Sequence, residues 1–233
     1  MFSNRYIIIY SAIMVIIVAI ALTFIAVLLK PKQQYNIKVE KMQNILASAN
    51  IESTVDNAEE LYKKHIKETF VINNKGEMIS NTDAFGIDLY MELKKPVEKR
   101  NLPVFVCVKE KDEHLIIVPI RGKGLWGPIW GYVAFNKDLN TIEGAIFDHK
   151  GETPGLGSEI NTQAFSSQFF GKSIFNDEGK FVSIEVIKGG ASPENKHGVD
   201  AISGGTITSK GLEKMLYDCL EPYVAYFKAN HQN

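Results

Sequence analysis

The sequence predicts an α+β protein carried on a single N-terminal transmembrane helix. Two observations predict it. No Asp, Glu, Lys, Arg or His lies between Tyr6 and Leu29, and beyond Lys30 runs of strand signals are bracketed by helical periodicities instead of alternating with them. The 233 residues are 45% apolar and 23% charged with a formal charge of -1. This excludes a disordered tail, a collagen, a disulfide-stapled mini-protein and a strongly basic chain, so no nucleic-acid partner is expected.

The apolar stretch comes first. At about 1.5 Å per residue it covers roughly 36 Å, enough for a hydrocarbon core of about 30 Å with some tilt. A cleaved secretory signal would have a shorter apolar region and a small-residue cleavage site, but Ala26 is followed by Val27, Leu28, Leu29, Lys30 and Pro31. A helix apolar on every face is also a poor fit to a soluble core. Residues 1–30 are therefore expected to be an uncleaved anchor, and one helix without an intramembrane charge offers no ion path. Residues 30–233 hold 25 Lys and Arg against 27 Asp and Glu. Lys30, Lys32, Lys38 and Lys41 outnumber the lone Arg5 across the helix, which taken literally puts the large domain in the cytoplasm. A leader of five residues makes that a weak signal, and the residues alone leave the side open.

Residues 33–69 lack Pro and Gly and read as two helices broken near Asn50 to Asp56, with Ile45, Leu46, Leu61 and Ile66 among the periodic apolar positions. Strands are expected at Thr69 to Asn73, Pro103 to Val108, Leu115 to Ile120, Gly131 to Asn136 and Phe181 to Lys188. A helix from about Lys210 presents Leu212, Met215, Leu216 and Cys219 on one face, with a stop or kink at Pro222.

Three glycine-rich clusters stand out. Arg121 to Tyr132 reads RGKGLWGPIWGY. It fits G-x-G-x-x-G, but Pro128 and the apolar run after it lead into a strand where a dinucleotide site needs a helix, so the local reading is a bent β-hairpin with both Trp packed beneath it. Gly151 to Gly157 reads GETPGLG. Such a loop can bring backbone amides close to a ligand or be only a tight turn, and Glu152 has no evident partner for acid-base chemistry. Asp200 to Gly211 reads DAISGGTITSKG. Thr208 or Ser209 is suited to cap the last helix, leaving Thr206 just outside a helix N-terminus where a phosphate is favoured and Lys210 could add counter-charge. A Walker A loop fails because Lys210 is followed by Gly211. The five His have no metal-ligand spacing, and Cys107 and Cys219 read as buried thiols. No catalytic side chain and no metal site is assigned.

In this order, an anchor, GKGLW, ETPGLG and D-x-x-S-G-x-T, the chain resembles the C subunits of the sodium-translocating NADH:quinone oxidoreductases. The resemblance implies an extracytoplasmic mixed α/β FMN-binding domain at residues 111–233, preceded by an N-terminal α/β region at 31–110, in the cell inner membrane. It implies FMN held covalently as a phosphoester on Thr206, attached by a flavin transferase that recognises Asp200 and Ser203. Gly204, Gly205, Thr208 and Lys210 would complete that part of the site. Gly205 stands where alanine is usual in the family. Gly124, Leu125 and Trp126 would edge the isoalloxazine, while Glu152, Thr153, Pro154, Gly155, Leu156 and Gly157 would meet the ring and ribityl chain largely through backbone groups. The implied role is electron relay from a membrane iron-sulfur centre to the FMN of the B subunit. The implied partners are the A, B, D, E and F subunits, closest to B, D and E. With no nicotinamide or iron-sulfur motif of its own, the chain alone is not expected to oxidise NADH. The G subunit of the related Rnf electron-transport complex shares the flavin motif; the two long N-terminal helices and the GKGLW spelling favour the quinone reductase. A tethered extracytoplasmic sensor is the competing class, but the stretch ahead of the helix is only five residues.

Overall fold

The structure is a computed structural model and describes residues 3–110 and 113–231. It divides into two compact units, 1–41 and 42–233. Helix α1 (Asn4–Ser48) begins in the first and ends in the second. Its apolar part is long and apolar enough to cross a membrane. The helix runs without interruption through Pro31, the position at which the sequence places the end of the anchor. A proline deletes one backbone hydrogen bond, and here the helix continues past it.

In the second unit, α2 (Ala58–His65) leads directly into β1 (Ile66–Ile72), so the helical periodicity ends before Thr69. A six-stranded antiparallel sheet follows, in the order β2-β1-β3-β4-β5-β6. Its other strands are β2 (Met78–Ile79), β3 (Leu102–Val108), β4 (His114–Lys123), β5 (Pro128–Phe135) and β6 (Ile142–His149). The short helix α3 (Leu89–Leu93) precedes β3. The sheet crosses residue 110, so the stretches 31–110 and 111–233 share it.

Both faces of the sheet are buried. Ile72, Val104, Val118 and Val133 join one core cluster, and their chain neighbours Val71, Phe105, Ile117 and Ala134 join the other. Successive side chains on a strand point to opposite faces, which is why these strands read as nearly continuous apolar runs.

Two expectations are corrected. The stretch Phe181 to Lys188 forms a strand only at β7 (Glu185–Ile187), which pairs parallel with β8 (Gly198–Asp200), while Phe181 makes a single bridge to Phe175. The last helix, α5 (Thr206–Leu220), starts four residues earlier than Lys210. Around Pro222 a 3-10 turn, Glu221–Tyr223, bends the chain into α6 (Val224–Asn230), as the proline foretold.

Candidate functional site

The three glycine-rich clusters meet at the start of α5. The helix opens at Thr206, with Gly205 at the cap and no side-chain capping hydrogen bond. The first bond into the helix runs from the Ser209 amide to the Gly205 carbonyl at 2.9 Å. The amides of Thr206, Ile207 and Thr208 have no acceptor among the described residues. Thr206 is exposed, so its hydroxyl stands free at the first helical position beside the positive end of the dipole.

Neither Thr208 nor Ser209 acts as the cap. Thr208 is buried and its hydroxyl donates to Glu152 Oε2 at 2.6 Å; Ser209 is also buried, and its Oγ accepts from the Ile202 amide at 3.1 Å. Gly205, lacking any side chain, takes the cap position; a Cβ there would lie 2.9 Å from Ile202 Cγ2, so that side chain would have to shift for the alanine usual in the family.

Glu152 ties the clusters together. It is 4% exposed. Besides the Thr208 hydroxyl, its carboxylate accepts from the Trp126 amide at 2.9 Å, and its own amide donates to His149 Nδ1 at 3.1 Å. Burial alone would raise its pKa, but the hydrogen bonds from Thr208 and from the Trp126, Gly127 and Leu125 amides outweigh burial and hold the carboxyl below its ordinary value. The carboxylate is thus spent on the Gly124 turn and on α5. The neighbouring glycines leave it room, since a Cβ on Gly124 would lie 2.5 Å from Glu152 Oε1 and one on Gly157 2.6 Å from Oε2 and 2.5 Å from Thr208 Oγ1.

Around this buried joint the remaining residues face outward. The β4–β5 hairpin is closed by the Gly124 amide donating to the Gly127 carbonyl at 2.8 Å. At its tip, Leu125 and Trp126 are exposed, the latter at 69%. The expected packing of both Trp beneath the hairpin fails for Trp126, because its backbone is held by Glu152 and its indole Nε1 donates to Thr153 Oγ1 at 3.1 Å on the surface. Thr153, Pro154, Gly155 and Leu156 are exposed, with Leu156 set over Gly204, where a Cβ would lie 2.5 Å from Leu156 Cδ2. Gly204 also needs its missing side chain for its positive φ of 72°.

Three expected residues lie apart from this joint. Asp200 holds a neighbouring loop, with Oδ1 accepting from the Ala191 amide at 2.7 Å and its own amide donating to Gln168 Oε1 at 2.8 Å. Ser203 is exposed and, like Asp200, has no hydrogen bond to Thr206 among the described residues. Lys210 is ion-paired with Glu213 at 2.8 Å, so its charge is already matched within the helix. Sequence reasoning missed His149, which accepts the Glu152 amide. Gly211, at the end of the third cluster, lets α5 approach β4 so closely that a Cβ would lie 2.3 Å from the Lys123 carbonyl oxygen.

An exposed hydroxyl at an uncapped helix start, three free amides and a glycine-lined approach fit a phosphate-bearing ligand and define the class. The family model for the FMN-binding domain matches residues 124–221, which contain all three parts of the joint. The relatives make the assignment particular. The chain is 34% identical over 214 residues to the C subunit of the Na(+)-translocating NADH-quinone reductase of Vibrio anguillarum, covering 85% of this chain and 83% of that one. It is 33% identical over 224 residues to that of Haemophilus ducreyi, with 88% and 86% covered. The crystal structure of the same reductase's C subunit from Parabacteroides distasonis superposes with a TM-score of 0.80 at 42% identity over 88% of this chain and 98% of that chain. The Shewanella oneidensis NqrC structure superposes with 0.72 at 28% identity over 84% and 98%. The chain belongs to the family of C subunits of the Na(+)-translocating NADH-quinone reductases.

Proposed function

We propose that this chain is the membrane-anchored flavoprotein subunit of a sodium-pumping NADH:quinone oxidoreductase and carries FMN as a phosphoester on Thr206. The observation that carries the reading is the free Thr206 hydroxyl at the head of α5, next to three amides without acceptors. A phosphoester keeps a negative charge, and that helix start offsets it. Asp200 and Ser203 serve the flavin transferase as recognition positions, consistent with their exposure away from the buried joint.

FMN supplies reversible electron transfer, and the polypeptide supplies its placement. Leu125, Trp126 and Leu156 give exposed apolar surface for a ring system, and the backbone of residues 153–157 borders the same place. Glu152 does not reach outward. It fixes the Gly124 turn against α5, so that the two walls of the site keep their spacing.

In the complex, this flavoprotein takes electrons from a membrane iron-sulfur centre and passes them to the FMN of the B subunit. Its partners are the A, B, D, E and F subunits, closest to B, D and E. By the family resemblance we read the chain as anchored in the cell inner membrane with its domain extracytoplasmic, where a covalent bond would prevent loss of the cofactor. Intact-mass measurement and in-gel fluorescence of the denatured chain, made with and without the flavin transferase, test the attachment. The expected gain is the mass of FMN minus water, absent in Thr206→Ala; an unmodified wild-type chain under competent conditions overturns it. In the assembled complex, Thr206→Ala should abolish quinone reduction and spare the NADH-to-dye half-reaction, and persistence of wild-type quinone reduction would refute the relay.

A further inference from the structure

A second surface feature lies beside the site. A groove of about 580 Å³ is bounded by α3 and the Val97–Lys99 turn, by the Arg121–Lys123 end of β4 and by α5. Two glycines, Gly122 and Gly211, are part of its lining. A Cβ on Gly122 would lie 2.6 Å from Met215 Cβ, and Gly211 meets the Lys123 carbonyl as described above. Tyr90 and Tyr217 line it half-exposed, at 51% and 49%.

The charges along the groove are not evenly matched. Arg100, Arg121, Lys123 and Lys214 face only Asp218 and Glu221. Arg100 donates to the Lys95 and Leu93 carbonyls, and Lys214 is paired with Asp218 at 2.8 Å. Arg121 and Lys123 have no carboxylate partner among the described residues. The Arg121 guanidinium instead lies 5.5 Å from the Tyr90 ring and 5.9 Å from the Trp130 ring. This cationic strip sits on an acidic unit, since residues 42–233 hold 21 Lys and Arg against 26 Asp and Glu, a net charge of -5. A local field opposite in sign to the rest of its domain steers a partner of complementary charge. Tyr and Arg around an open groove are also the residue types that dominate binding at protein interfaces.

We propose that the groove docks an extended acidic segment of a partner protein, with carboxylates on Arg121 and Lys123 and apolar side chains against Tyr217; the Tyr90 ring is already covered by the Lys94 ammonium, 3.9 Å from its centroid. The docking does not depend on whether Thr206 carries a flavin. It is tested on the full chain in its native membranes, with the photo-crosslinker p-benzoylphenylalanine introduced as Tyr217→p-benzoylphenylalanine or Tyr90→p-benzoylphenylalanine. Mass spectrometry should map the adduct to one net-negative stretch of another protein. The yield should fall about tenfold in Lys123→Glu, and again when salt rises from about 50 to about 500 mM. Lys123 is exposed, so that variant keeps its fold; Arg121→Gln should lower the yield in the same direction. Adducts only to lipid, to a second copy of this chain or to a neutral or basic stretch overturn the proposal, as does the absence of any adduct or a yield unchanged in Lys123→Glu.

Discussion

The two faces of the central sheet are covered unequally. On one, α5, α6 and the 160–175 segment bury a large cluster that includes Val118, Val133, Leu212, Leu216, Phe165 and Phe227. On the other, the end of α1 and the α2 region bury a smaller one around Ile45, Phe105, Ile117 and Ala134. The candidate site stands on the first face, because the helix whose start forms it is also that face's main cover. Rigid placement of the site and stability of the larger core are therefore coupled on one side of the sheet and separate on the other.

The strongest way to break this comparison is a matched pair of cavity mutants. Phe227 is fully buried, with its ring 5.1 Å from that of Phe135 and 5.9 Å from that of Tyr223. Phe227→Ala should lower unfolding free energy by about 3–5 kcal/mol and Ile45→Ala by about 2–4 kcal/mol in denaturant melts. Flavin attachment should drop in the first and persist in the second when both are assayed where each is folded. Equal losses of attachment would mean that the faces are not separable.

A smaller effect is expected of Gly211→Ala. The added methyl would meet the Lys123 backbone and not a movable side chain, costing about 1–3 kcal/mol by thermal melt. Sharper chemically is Glu152→Gln, expected to cost about 1–2 kcal/mol near neutral pH, because an amide group facing the Trp126 amide and the Thr208 hydroxyl loses charge-assisted bonds. Since the folded carboxyl is held below its ordinary value of 4.5, the gap between wild type and variant should be full above that value and close as pH falls through the folded pKa. A pH-independent gap would show that the carboxylate's charge is irrelevant. The smallest effect belongs to the thiols, one in each cluster: burial pushes both Cys107 and Cys219 up to about 11, so neither should react with a thiol reagent at neutral pH until the chain unfolds.

Much of the frame was legible in the sequence because its signals are local. The Tyr6 to Leu29 stretch and the strands at 102–108, 114–123 and 128–135 announce themselves by apolar composition, and Pro222 by its missing amide. Strand β6 was missed, since Glu143, Gly144 and Asp148 break its alternation and its register with β5 contains a bulge. The cap of α5 was misplaced for a different reason. Ser and Thr are the usual capping residues, but the Thr208 hydroxyl is taken by Glu152, 56 positions away in the chain. Local chemistry could not reveal that bond. Each glycine cluster read separately was an ordinary turn, and only their order, through a family resemblance, pointed to one site; the contacts of Glu152 and Gly157 now give that convergence a physical cause.

Thr206, Leu125, Trp126 and Leu156 are all exposed, and for the proposed flavin this has a kinetic consequence. A flavin attached there, as proposed, would sit at the rim of the domain instead of at the end of an internal tunnelling route. Electrons would then arrive and leave by direct touch, and turnover would be paced by how often neighbouring surfaces collide in a productive orientation.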